Sequence, residues 1–207
     1  MKSNIRLLAI TGSHRKDGNS YSLVKSVLKS VGVDHEIIQL AEKDIEFCTL
    51  CGQCVENDCV LEDDLDQILR RMEKADGIVF AVPKYLLVPS KFLAFLERLD
   101  TIVHMRRHKG YEHVGKELDY RLFSDEKPFC ILALSGTGNI EEETLKIVAD
   151  YIEALGLKPV SPYRSSLPWF SVRAGDAKGE VLKNAEGREQ CKQLVEKLVE
   201  SLKQQTD

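Results

Sequence analysis

Apolar and polar positions fall along the chain in two kinds of block. Short, mostly apolar runs occur at Ile5-Arg6-Leu7-Leu8-Ala9-Ile10, Glu36-Ile37-Ile38-Gln39-Leu40, Ile78-Val79-Phe80-Ala81-Val82 and Phe129-Cys130-Ile131-Leu132-Ala133-Leu134. Short runs of this kind, bounded by polar or turn residues, predict strands buried on both faces. Between them apolar residues recur at helical spacing. The stripes are Leu23, Val24, Val27, Leu28, Val31; Leu65, Ile68, Leu69, Met72; Phe92, Phe95, Leu96, Leu99, Val103; Val148, Ile152, Leu155; and Leu194, Val195, Leu198, Leu202. Each predicts a helix with one face on a core. Pro83 stops the third strand and Gly156 ends the fourth helix. Lys158 to Tyr163 reads as a fifth strand. Glu62-Asp63-Asp64 opens the second helix, where carboxylates favour the positive end of the dipole.

Five β–α units predict a parallel sheet with helices on both faces. Right-handed crossovers restrict its topology, and the flavodoxin-like doubly wound order 2-1-3-4-5 is the expected one. The 207 residues suit a single domain over 1–207. Segments 105–126 and 164–176 exceed ordinary connections. They carry Tyr111, Tyr120, Leu122 and Phe123, and Leu167, Trp169 and Phe170, without helical or alternating period. They read as insertions that build a subunit interface. A lid folded over the same chain is the alternative.

Composition narrows the class. Hydrophobic residues make up 43% and charged residues 30%, which is ordinary for a globular chain. No apolar run is long enough to span a bilayer, and no signal-peptide pattern follows Met1. The expectation is a cytoplasmic protein with no membrane partner. The net charge is -4, and the one basic cluster is Arg106-Arg107-His108-Lys109. A nucleic-acid partner is not expected from such a balance.

Two loops carry chemistry. Thr11-Gly12-Ser13-His14-Arg15-Lys16-Asp17-Gly18-Asn19-Ser20 joins the first strand to the first helix. The unpaired N–H groups of a helix start, together with Ser13, Arg15, Asn19 and Ser20, suit an anion. The glycine spacing fits neither a Walker loop nor a dinucleotide fingerprint. A capped helix start without a ligand is the alternative.

The second loop, 46–61, follows the second strand and has the spacing Cys48-x2-Cys51-x2-Cys54-x4-Cys59. In a reducing compartment a metal site is expected before disulfides. Two-residue gaps wrap the backbone around a compact object, as in ferredoxins, whereas structural zinc usually draws cysteine pairs from separate turns. An iron–sulfur cluster is the first reading, with zinc and free or bridged thiols as rivals. Cys130 and Cys191 read as core residues.

Gly12-Ser13-x-Arg15-x-x-Gly18-Asn19-Ser20 resembles the phosphate loop of the NADPH-dependent FMN reductase superfamily. Pro83-Lys84-Tyr85-Leu86, followed by Ser90, resembles that family's second flavin loop. Ser135-Gly136-Thr137-Gly138 lies where its third would fall. The four-cysteine motif within this framework resembles the iron–sulfur flavoproteins of anaerobic archaea and bacteria. The resemblance implies one FMN and one 4Fe–4S cluster per subunit, the latter on Cys48, Cys51, Cys54 and Cys59. It implies a homo-oligomer, a tetramer or dimer, that passes electrons between cluster and flavin. The expected function is electron transfer from a one-electron donor such as ferredoxin to an acceptor. An NAD(P)H-dependent FMN or quinone reductase with a structural metal, and a non-enzymatic redox sensor, are the alternatives.

Overall fold

The computed structural model describes residues 5–109, 121–136, 142–161 and 168–204. Thr137 and Gly138 lie outside these residues, as do Tyr111, Tyr120 and Leu167.

The elements in chain order are β1 (Arg6–Thr11), α1 (Asn19–Val31), β2 (Asp34–Gln39), α2 (Leu65–Lys74), β3 (Gly77–Pro83), α3 (Ser90–Arg107), β4 (Lys127–Ser135), α4 (Glu142–Ala154), β5 (Leu157–Pro159), β6 (Trp169–Arg173) and α5 (Ala185–Gln204). The strands pair in parallel in the order β2-β1-β3-β4-β5, with β6 also on β4. This is the flavodoxin-like order. Helices cover both faces. Ile10, Phe80, Ile131, Met72, Phe92, Phe95 and Ile152 belong to one apolar cluster. Leu7, Ala81, Leu132, Leu23, Leu28, Val195 and Leu198 belong to the other. Successive residues of each central strand point to opposite faces, so these strands must be apolar at every position. Cys130 and Cys191 are fully buried in the second cluster, and burial pushes both thiols well above their ordinary range.

The fifth strand differs from the expectation. β5 is short and pairs only with Lys127, Pro128 and Phe129. Further along the chain β6 pairs Trp169 with Ile131 and Arg173 with Ser135. One strand position is thus filled in two pieces, and Trp169–Arg173 of the segment 164–176 belongs to the sheet. Trp169 is 8% exposed and packs in the first cluster. Segment 105–126 also reaches its own core: Phe123 is buried there and Leu122 packs against it. A partner subunit is not needed to cover these side chains.

The acids before α2 do more than face a dipole. Asp63 accepts the Leu65 N–H at 3.0 Å and the Glu46 N–H at 2.9 Å. Asp64 accepts the Asp44 N–H at 2.9 Å and pairs with Lys43. These bonds hold the carboxyl of Asp64 below its ordinary range, chiefly through the Asp44 N–H. The cysteine loop is thereby pinched shut at its base. Among the described residues no helix is long and apolar enough to cross a membrane.

Candidate functional site

Parallel strands deliver their following loops to one edge of the sheet. The loops after β1, β3, β4 and β6 gather there, and the cysteine loop leaves the same edge after β2.

The loop after β1 is tightly constrained. Gly12 donates its N–H to the Ala81 carbonyl at 2.9 Å. A Cβ at Gly12 would lie 3.0 Å from the Phe92 ring, so only glycine lets α3 pack this closely behind the loop. Ser13 is buried, and its hydroxyl accepts the Arg15 N–H at 3.0 Å. A hydroxyl that accepts one bond keeps its own hydrogen for a ligand. Ser20 is buried in the first turn of α1. That turn holds no carboxylate, and its N–H groups have no partners within the helix. The arrangement suits an anion.

Two polar residues of this loop point elsewhere. Asn19 is buried, and its amide donates to the carbonyls of Ala174 at 3.2 Å and Gly175 at 3.1 Å. Its side-chain oxygen accepts the Val181 N–H at 3.4 Å. The Asn19 side chain therefore ties down residues 174–181. Its backbone N–H stays at the helix start. Arg15 donates to the Asp176 carbonyl at 2.9 Å, so it joins the same strap. Sequence reading missed this strap because its partners lie far apart in the chain.

The other loops meet the first. The His14 and Tyr85 rings lie 5.2 Å apart, and His14 Nε2 is 3.3 Å from the Ser90 hydroxyl. Tyr85, Leu86 and Leu87 are exposed, Leu86 at 91%. Pro83 ends β3, and Lys84 donates its N–H to the Leu134 carbonyl at 2.7 Å. Ser135 is buried, and its carbonyl accepts the Ala174 N–H at 2.7 Å. Gly136 lies beside Asp176. The described part of the third loop therefore abuts the strap, with exposed apolar side chains across from it on the second loop.

In the cysteine loop two residues with positive φ flank Cys51: Leu50 at 52° and Gly52 at 73°. This turns the chain sharply on each side, and a short helical turn over Gln53–Val55 follows. Cys48, Cys51, Cys54 and Cys59 all line one small hollow, with Arg98, Thr101 and Ile102 of α3 on its wall. Among the described residues no three His, Cys, Asp or Glu side chains could hold a single metal ion. Burial and the neighbouring thiols, Cys59 first, push Cys54 up. At the exposed Cys51 the Gln53 N–H pulls the thiol down.

Two arginines of α3 support the loop, and the sequence reading assigned neither. Arg98 is 2% exposed. It pairs with the Asp63 carboxylate and donates to the Glu46 carbonyl at 3.2 Å and to Cys59 Sγ at 3.1 Å. Desolvation opposes its charge, but the bonds to Asp63 and Cys59 prevail and hold the guanidinium above its ordinary range. Arg106 donates to the carbonyls of Cys54 at 2.9 Å and Asn57 at 2.8 Å. The available signal was a cation inside the apolar stripe Phe95, Leu99, Ile102. A charge is almost never buried there without a partner.

Helix α3 connects the two halves of the site. It begins at Ser90, beside His14, and meets Cys59 eight residues later at Arg98. At the α-helical rise this is about 12 Å.

Residues 5–163 match the NADPH-dependent FMN reductase family. An iron–sulfur flavoprotein of Archaeoglobus fulgidus is 30% identical over 87% of this chain and 76% of its own length. Another iron–sulfur flavoprotein, from Methanocaldococcus jannaschii, is 38% identical over 39% of this chain and 44% of its own length. The crystal structure of oxidised flavodoxin 1 from Bacillus cereus superposes with a TM-score of 0.53 at 14% identity, covering 94% of this chain and 97% of that one.

Proposed function

Because the chain belongs to the NADPH-dependent FMN reductase family and, within it, to the iron–sulfur flavoproteins, we propose that it is an electron-transfer flavoprotein holding FMN and one 4Fe–4S cluster. It takes electrons from a one-electron donor of ferredoxin type and delivers them to a two-electron acceptor. The observation that carries this reading is the single hollow lined by all four thiols, on the sheet edge that also bears the candidate flavin loops. A mononuclear zinc site would bring each sulfur to about 2.3 Å from one centre. Structural zinc usually draws cysteine pairs from separate turns, whereas four thiols within one loop, Cys48 to Cys59, suit a multi-iron cluster.

The chain's own residues divide the work. The first turn of α1, the Ser13 hydroxyl and the strap held by Arg15 and Asn19 bind the phosphate end of FMN. Tyr85, Leu86, Ser135, Gly136, Thr137 and Gly138 would hold the flavin ring. Cys48, Cys51, Cys54 and Cys59 ligate the cluster. The bound groups supply one- and two-electron chemistry, while the protein fixes their separation and surroundings. The active form is a homo-oligomer, a tetramer or dimer, in which the cluster serves the flavin of its own or a neighbouring subunit.

The family's description favours a second reading, direct reduction of the flavin by NADPH. Rapid mixing under anaerobic conditions separates the two. Reduced ferredoxin should bleach the flavin of the wild type but not of Cys51→Ala, which loses iron and keeps FMN. Rapid bleaching of both proteins by NADPH would contradict the electron-transfer reading.

A further inference from the structure

Seven carboxylates, at Glu46, Glu56, Asp58, Glu62, Asp63, Asp64 and Asp66, lie within or beside the cysteine loop. No Lys, Arg or His occurs between Asp44 and Leu69. Such a loop repels further negative charge. The positive charge at its sulfurs arrives from another element: Arg98 of α3 donates to Cys59 Sγ at 3.1 Å. The side chains of Arg98 and Asp63 are each 1% exposed, so solvent screens this contact very little.

We propose that Arg98 is a positioning residue that sets the reduction potential of the cluster through Cys59, with Asp63 as its counterweight. The inference rests on the cluster reading above and goes beyond the ligand set. Reduction by an external one-electron reductant adds one negative charge to the thiolate-bound group, and no bond breaks. A guanidinium on a ligating sulfur stabilises the reduced form more than the oxidised form. Hydrogen bonds to sulfur and local charge are the main protein levers on such potentials. Asp63 opposes the effect, because its carboxylate sits on the same guanidinium.

A purely mechanical role would not require this chemistry. An apolar residue at position 98 would fill the stripe of α3 without the desolvation cost of a buried ion pair. The third bond, to sulfur, acts on the cluster itself.

The test is an anaerobic redox titration of the holoprotein monitored by electron paramagnetic resonance, with iron and labile sulfide measured on the same samples. Arg98→Gln, at wild-type iron content, should make reduction at least tenfold less favourable, a shift of about 59 mV to more negative potential for one electron. Asp63→Asn keeps an oxygen for the Leu65 or Glu46 N–H and removes the counterweight, so its midpoint should move the opposite way. Arg98→Lys, which keeps the charge but not the three-way fork, should fall between wild type and Arg98→Gln. If Arg98→Gln loses its iron, the other two variants decide. Unchanged midpoints, or Asp63→Asn shifting to more negative potential, would overturn the inference and leave the cluster reading intact. A wild-type protein without iron and sulfide would overturn both.

Discussion

Asn19 has the side chain that a phosphate loop needs, yet it is bound to the chain's own backbone. Two carbonyls and one N–H of the strap after β6 converge on its amide. Asn19→Ala leaves these groups in a buried site without a partner, which costs about 1–3 kcal/mol. The apoprotein should lose that much stability in urea unfolding, and FMN affinity should fall only through the loosened strap. An apoprotein of unchanged stability with weakened FMN binding would return Asn19 to the phosphate. The sequence carries Asn19's polarity but not its direction, because the partners lie some 155 residues away. Arg98 poses the same problem. Its partners Asp63 and Cys59 are 35 and 39 residues away, and in sequence it is one more cation on a charged helix. The thiols are different. Their mutual spacing lies within one loop, so local geometry already brings them together.

At the scale of elements, apolar runs identified the three central strands β1, β3 and β4, since a strand covered on both faces must be apolar throughout. The helices followed from their stripes. The last strand position broke this rule, because β5 spans only Leu157–Pro159 and Trp-Phe-Ser-Val-Arg is too short and mixed to announce β6. Its order comes from β4, which supplies the partner carbonyls and N–H groups. The structure thus makes Trp169 a core residue of its own chain. Trp169→Ala should cost about 3–5 kcal/mol of stability, read as a lower midpoint in urea or heat. A variant with wild-type stability that forms smaller particles in light scattering would contradict this and support an interface role for the segment.

On the scale of the whole molecule, parallel pairing decides where function can lie. Each strand of β2-β1-β3-β4 points its following loop to one edge, so the cysteine loop and the candidate flavin loops share it without any special device. Helix α3 links them, with its first turn beside His14 and Ser90 and Arg98 and Arg106 under the cysteine loop. The order of the sheet and the sharing of one edge follow from the strand sequence alone. The support beneath the cysteine loop does not, since it depends on how α3 packs across β3. The central claim is that one chain carries both a flavin and an iron–sulfur cluster. Its most direct test is anaerobic purification followed by iron, sulfide, zinc and FMN analysis of a single sample. The account predicts one FMN per chain, iron and acid-labile sulfide in equal amounts, and no stoichiometric zinc. Zinc at the cysteines, or FMN in protein lacking sulfide after anaerobic reconstitution with iron, would contradict it.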